Sequence, residues 1–291
     1  MGKHLGKATR LRRTVQLASL LVTNGYWSGL FGAVIYTGKA KKLCVPFLNC
    51  YSCPAAYFSC PLGSLQSLLA APHTVSLYVT GLLLSVGAAV GRLFCGWLCP
   101  FGLLQETVAL SRARKVRLPL WLTSIKYPVL VLTVLLPVLW LDKQGLGAPY
   151  FCKYICPAGT LEGAVPLLLG RPELRALVGA LFLWKAAVLA VFLILMLFVY
   201  RVFCRTACPL GAFYGLFNSI SLWRLERDVS KCTGCATCRD ICPVGVRADV
   251  NPNHPECIRC LKCSKACPSG ALKLAARSAG LKTEQEVAVK R

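Results

Sequence analysis

Two cysteine runs near the C-terminus have the residue type and spacing to hold iron. Cys232-x2-Cys235-x2-Cys238-x3-Cys242-Pro243 is followed by Cys257-x2-Cys260-x2-Cys263-x3-Cys267-Pro268. This spacing suits a module with two [4Fe–4S] clusters, in which the fourth cysteine of each run binds the other run's cluster. It assigns Cys232, Cys235, Cys238 and Cys267 to cluster one, and Cys257, Cys260, Cys263 and Cys242 to cluster two. Three thiolates converge on one cubane in each tight loop, and Pro243 and Pro268 turn the chain away. The chemistry is one-electron transfer. Zinc sites or structural thiols are the bland alternatives, and two complete copies of the pattern argue against both.

The chain has 18 cysteines, and the others are patterned too. Cys95 and Cys99-Pro100, Cys152 and Cys156-Pro157, and Cys204 and Cys208-Pro209 each read Cys-x3-Cys-Pro. Residues four apart on a helical turn share a face, so both sulfurs can reach one cluster. The proline suits the first position of a new helix, where its missing N–H costs nothing. Cys-Pro-x-Gly recurs at Cys60, Cys99, Cys156 and Cys208, and again at Cys242 and Cys267 inside the C-terminal module. The glycine would let backbone approach a cluster. Cys95, Cys99, Cys204 and Cys208 form a complete set for a third, inner [4Fe–4S] cluster. Six cysteines compete for an outer, fourth one: Cys44, Cys50, Cys53, Cys60, Cys152 and Cys156. Repeat symmetry selects Cys60, Cys152 and Cys156, with Cys53 or Cys50 as the fourth ligand. The two left over could form a disulfide or a redox pair. Cys50-Tyr-Ser-Cys53 has the spacing of a thiol–disulfide exchange site, which by itself is weak evidence.

The elements that must position these cysteines are membrane spans. Of 291 residues, 56% are hydrophobic, and the mean hydropathy is +0.57. Crossing a bilayer core takes roughly 20 apolar residues. Four stretches qualify: Thr14–Gly38, Thr74–Phe94, Pro119–Leu141 and Gly179–Phe203. An uncleaved first span fits better than a secretory signal, because no small-residue cleavage pattern clearly follows it. Lys3, Lys7, Arg10, Arg12 and Arg13 precede the first span, and Arg112, Arg114, Lys115 and Arg117 follow the second. With four spans these segments share the cytoplasmic side with the C-terminal module. Lys39, Lys41, Lys42, Lys143, Lys153, Arg171 and Arg175 weaken the bias. The net charge of +23 reads as topology and contact with anionic lipid rather than nucleic-acid binding.

The expected fold is a mostly α membrane protein, four transmembrane helices in two parallel repeats, with a C-terminal α+β two-cluster bacterial-type ferredoxin domain. The expected boundaries are 1–223 for the membrane domain (repeat one 14–117, repeat two 118–223), 224–273 for the ferredoxin and 274–291 for a polar tail. The second repeat has gained residues around Arg171. The apolar runs Leu65–Ala70 and Val165–Leu169, after the outer motifs, suit re-entrant cluster-binding segments, which membranes tolerate where protein buries them.

Only His4, His73 and His254 are present, none within a span, so haem b between intramembrane histidines is not expected. Nor is a built-in flavin or NAD site, since no glycine-rich nucleotide fingerprint occurs. Electrons must enter and leave through redox partner proteins or a membrane quinone. Glu106 and Glu162 follow the inner and outer motifs. Solvated or helix-capping carboxylates are the ordinary reading, and proton acceptance from a quinol the sharper one. Arg92 and Lys185, near span ends, are expected to snorkel to the interface. Most of the six tryptophans fall near span boundaries, as interface aromatics do.

At the spans, the Cys95/Cys99 and Cys204/Cys208 motifs and the ferredoxin from Cys232 to Cys267, the chain resembles membrane polyferredoxins of the NapH/NosR type, found with periplasmic nitrate and nitrous-oxide reduction. The resemblance implies a multi-pass protein of a bacterial or archaeal cytoplasmic membrane that passes quinol-derived electrons towards an extracytoplasmic acceptor. The outer cysteines from Cys44 to Cys60 and Cys152/Cys156 depart from that pattern. A flavin-bearing domain like that of the NosR branch is not expected. An electron conduit leads the functional readings, ahead of a quinol dehydrogenase, a thiol-reductant supply through Cys50/Cys53, and a redox or iron sensor.

Overall fold

Glycine and proline punctuate the apolar stretches, and the helices follow that punctuation. A computed structural model describes residues 2–69, 77–110, 116–136 and 148–276. Arg112, Arg114, Lys115, Lys143, His73, Trp140, the ends of the expected spans at Thr74 and Leu141, Ala70, and the tail beyond Ala276 lie outside the described residues.

Among the described residues one helix, Ala180–Phe198, is long and apolar enough to cross a membrane. The other expected spans are interrupted. The first is helical over Gly2–Thr23, breaks at Asn24–Tyr26, and resumes over Trp27–Gly32, where Ala33 turns left-handed at φ 47°. The second runs Leu77–Val90 and stops at Gly91, whose φ of +50° is the left-handed cap that glycine supplies. It continues as Leu93–Trp97 and, after Cys99, as Pro100–Leu110. The third is Leu120–Thr123, then Lys126–Leu130 widening into a π-helical turn over Val131–Leu135. Short helices Pro61–Leu69 and Val165–Gly170 follow the Cys60 and Cys156 motifs.

The first helix is amphipathic in the reverse sense. It buries Arg12, Gln16, Ser19 and Thr23 and exposes Leu11, Leu17, Leu21 and Val22. A helix on a water-soluble core does the opposite.

Strands β1 (Trp223–Arg227) and β2 (Leu272–Ala276) pair antiparallel with Leu225 opposite Leu274. Between them lie both C-terminal cysteine runs, and the two loops share one backbone geometry. Gly234 and Ala236 flank Cys235 in left-handed conformation, and Arg259 and Leu261 do the same around Cys260. A left-handed Gly245 and Gly270 close the respective Cys-Pro-x-Gly turns. The other buried core takes in Cys60, Cys95, Cys99, Cys156, Cys204 and Cys208. Phe203 holds it together, with ring centroids 5.2 Å from Phe101, 5.1 Å from Phe192 and 6.5 Å from Phe151.

Candidate iron–sulfur centres

All three Cys-x3-Cys-Pro motifs close in the same way. The N–H of the second cysteine reaches back five residues: Cys99 to the Phe94 carbonyl at 3.1 Å, Cys156 to Phe151 at 2.9 Å, Cys208 to Phe203 at 3.0 Å. A residue before proline is pushed out of the α region, and Cys156 (ψ 107°) and Cys208 (ψ 111°) are extended. The turn therefore widens where the second sulfur leaves it. The glycine of each turn donates its N–H to that sulfur: Gly102 to Cys99 and Gly159 to Cys156 at 3.4 Å, Gly211 to Cys208 at 3.3 Å.

Cys95, Cys99, Cys204 and Cys208 line one narrow cavity with Phe47, Leu48, Phe101 and Phe203. We call it the proximal site because it lies nearer the C-terminal module. Two arginines cross above it. Arg92 donates to the Cys204 carbonyl at 3.0 Å, and Arg201 to the Cys95 carbonyl at 2.5 Å. Each stands three residues before the first cysteine of its own Cys-x3-Cys-Pro motif. The turn glycines make room for them: a Cβ on Gly102 would meet Arg201 Nη2 at 2.9 Å, and one on Gly211 would meet Arg92 Nη2 at 3.2 Å. Gln105 is bound at both ends of its amide, donating to Cys204 Sγ at 2.9 Å and accepting from the Phe203 N–H at 3.1 Å.

A second, distal cavity of about 250 Å³ is lined by Cys50, Cys60, Cys152 and Cys156, with Tyr51 and Lys185. Of the two alternatives for its fourth cysteine, the geometry brings in Cys50. Cys53 does not line the cavity and packs with Ala55 and Ala56 behind Cys50, and Cys44 sits beside Ser64 with Sγ 3.5 Å from its hydroxyl. Gln66 spans this site as Gln105 spans the proximal one, accepting from the Cys152 N–H at 3.3 Å and donating to the Thr133 carbonyl at 2.7 Å. Glu162 accepts the Cys50 N–H at 2.9 Å. Leu48 lines both cavities and is a shared wall.

In the C-terminal module Cys242 leaves its own run and joins Cys257, Cys260 and Cys263 around one cavity. Cys232, Cys235, Cys238 and Cys267 lie nearer the surface, with Cys235 exposed. The Cys257 loop is seated on the proximal site. Trp97 Nε1 donates to the Arg259 carbonyl at 3.0 Å, Arg92 to the Pro255 carbonyl at 2.7 Å, and Asn218 to the Cys257 carbonyl at 2.8 Å.

These surroundings fit iron–sulfur clusters. Arg12, Arg92, Lys126, Arg201, Arg205, Arg224 and Arg259 are buried, against the buried carboxylates Glu106 and Glu256. A surplus of buried cations is costly unless an anion lies among them, and a cubane held by four thiolates is one. The Tyr214 hydroxyl, fully buried, has no hydrogen-bond partner among the described residues. Among the described residues no three His, Cys, Asp or Glu side chains converge on a single ion. Three sets of four cysteines line cavities instead, the arrangement that a cubane held by four thiolates calls for. Burial pushes the Cys50 and Cys257 thiols up to about 12, so iron binding has to displace their protons.

Comparison with known proteins agrees. A family model described as a 4Fe-4S binding domain matches residues 72–119, 127–172 and 180–227, and a second of the same description matches 225–247. The methylamine utilization ferredoxin-type protein MauN of Paracoccus denitrificans is 30% identical over 80% of this chain and 75% of its own. The chain belongs to the NapH/NosR-type polyferredoxins. The ferredoxin-type protein NapH of Escherichia coli is 27% identical over 77% of each chain. The regulatory protein NosR of Stutzerimonas stutzeri is 31% identical over 58% of this chain, which spans 22% of NosR. No solved structure matches.

Three expectations for this polyferredoxin need correction. Arg92 does not snorkel: it is fully buried and bound to the Cys204 and Pro255 carbonyls. Lys185 turns to the distal cavity, its Nζ 3.3 Å from the Cys152 carbonyl. Glu106 is neither solvated nor free to take a proton from a quinol. It is buried between Arg12 and Arg201, with Arg12 Nη1 and Arg201 Nε each 2.7 Å from Oε1. Burial alone would raise its carboxyl, but Arg201 and Arg12 outweigh that and hold it down at about 2. Gln105, Gln66, Arg201 and Glu256 escaped the sequence reading. The glutamines were signalled by a shared position six residues after a Cys-Pro cysteine.

Proposed function

We propose that this iron–sulfur electron-transfer protein is a membrane-embedded conduit of four [4Fe–4S] centres, connecting a cytoplasmic or quinol donor with an extracytoplasmic acceptor. Its ligands are Cys232, Cys235, Cys238 and Cys267; Cys257, Cys260, Cys263 and Cys242; Cys95, Cys99, Cys204 and Cys208; and, at the distal site, Cys60, Cys152, Cys156 and Cys50. A cluster at each site supplies one-electron exchange. The observation that carries the reading is the row of shared walls. The Cys257 loop rests on the Cys95 turn, and Leu48 separates the proximal and distal cavities. The two steps across these walls are thereby short, although a hydrocarbon core of about 30 Å is too wide for a single one.

The reverse amphipathicity of the first helix and the many exposed large apolar side chains of Ala180–Phe198, among them Leu183, Val191 and Ile194, support four membrane segments facing lipid. The crossed Arg92 and Arg201 support two parallel repeats, 14–117 and 118–223, about an axis through the proximal site. On this reading the ferredoxin domain is 224–273 and the N-terminus shares its cytoplasmic side. The thiol-supply reading is disfavoured: Cys53 is buried, and exchange requires an accessible thiol.

Anaerobically reconstituted protein should hold about sixteen iron atoms. In vesicles, an impermeant reductant on one face should reduce an impermeant acceptor on the other. Eight iron atoms, with the core thiols empty, would sink the conduit.

A further inference from the structure

The crossed arginines are related by the repeat, but the carboxylates that neutralise them are not. Arg201 pairs with Glu106, which stands seven residues after Cys99. Seven residues after Cys208 the second half has Gly215, and a Cβ there would lie 3.0 Å from the Pro255 carbonyl oxygen. The missing carboxylate arrives from the ferredoxin instead. Glu256, just before Cys257, is buried, pairs with Lys126, and lies 3.5 Å from Arg92 and 3.9 Å from Arg205. Arg92 in turn holds the Cys204 carbonyl.

We propose that Glu256 is a positioning residue that completes the proximal centre from the ferredoxin module, supplying the carboxylate that the second repeat lacks at Gly215. The inference rests on the reading of Cys95, Cys99, Cys204 and Cys208 as cluster ligands. The glycine eases the close approach of the loop, since a side chain at 215 would crowd the Pro255 carbonyl. Clusters held at the Cys257 and proximal sites would exchange a single electron, one losing it and the other gaining it, with no bond made or broken and no proton required. Charge arriving at the proximal site would be stabilised by Arg92 and Lys126, and Glu256, beside both, offsets that stabilisation. It thereby keeps the proximal centre from trapping the electron, and it does so only while the module is docked.

The test is a redox titration of the whole reconstituted protein, following each centre by EPR. Glu256→Gln should shift electron partition towards the proximal centre, relative to the remote Cys235 centre, by about tenfold, about 59 mV for one electron. Adding Lys126→Gln, which removes a cation from the same cluster, should bring the partition back. Lys126→Gln alone should shift it the opposite way, and it serves as the test if Glu256→Gln does not fold. A proximal potential unmoved by these variants, or a double variant that fails to restore it, overturns the proposal. A parent protein with no proximal signal fails the cluster reading instead, and the two failures are distinguishable.

Discussion

Gly96 and Ile258 meet backbone to backbone: a Cβ on Gly96 would lie 2.1 Å from the Ile258 carbonyl oxygen. Each residue directly follows a cysteine, Cys95 in one centre and Cys257 in the next. The peptide units that carry the two ligands are therefore in contact. No side chain intervenes, so the seating of the ferredoxin on the membrane part and the separation of the two centres are one structural fact.

Gly96→Ala tests it. The obstacle is a carbonyl oxygen, not the end of a flexible side chain, so the loop must move. Overpacking of this kind costs about 1–3 kcal/mol. Thermal unfolding should record that loss with iron content unchanged, and electron exchange between the Cys257 and proximal centres should slow. Gly81, with nothing within 4 Å of a Cβ, is the control. Ala there should be neutral or stabilise its helix by about 1 kcal/mol. Equal behaviour of the two variants would show that Gly96 does not set the docking.

At the distal site, Cys50 lines the cavity and Cys53 does not. Cys50→Ser should lower reconstituted iron from about sixteen atoms to about twelve, the loss of one cubane. Cys53→Ser should keep about sixteen, its cost confined to packing. The reverse pattern would return Cys53 to the ligand set.

The ferredoxin was legible because its chemistry is local: three sulfurs of each cluster come from one loop, and the spacing encodes the loop. The Cys-x3-Cys-Pro turns were legible for the same reason. The choice between Cys50 and Cys53 was not, since it depends on which of two neighbours faces Cys152 across the fold, and the sequence marks both alike. Arg92 illustrates a different failure. A cation near a span end ordinarily reaches for the interface, and only the partner repeat and Glu256 make burial the better state. The interrupted helices follow from Gly91 and the prolines, which composition over a window averages away.

Gln105 donates to Cys204 Sγ. A hydrogen bond to a ligand sulfur favours the more electron-rich, reduced centre. Gln105→Leu should lower the proximal potential by the worth of one such bond, about 1 kcal/mol, or roughly 40 mV for one electron. The distal and ferredoxin potentials should stay in place. An EPR-monitored titration in which the proximal centre keeps its potential would assign Gln105 to packing alone.

Glu106, seven residues after Cys99, and Glu162, six residues after Cys156, should respond to pH with opposite signs. Glu106 is held at about 2, below the ordinary 4.5: burial opposes ionisation, but Arg201 and Arg12 prevail. Its pairing therefore stabilises the fold above pH 4.5 and is lost as the pH falls towards 2. Glu162 is raised to about 7 by burial, opposed only by the Cys50 N–H. In the unfolded chain it ionises first, so it costs stability increasingly from about pH 4.5 to about 7 and then levels off. At pH 8, Glu162→Gln should accordingly unfold at a higher temperature than the parent, with the gain gone at pH 4. Glu106→Gln at pH 8 should lose about 3–5 kcal/mol, because two buried guanidiniums are left without their anion, and the deficit should narrow in acid. Anaerobic thermal unfolding in detergent at pH 4, 6 and 8 reads both. If the two variants moved in the same direction at pH 8, the two carboxylates would share one environment, and the asymmetry between the proximal and distal sites would be lost with it.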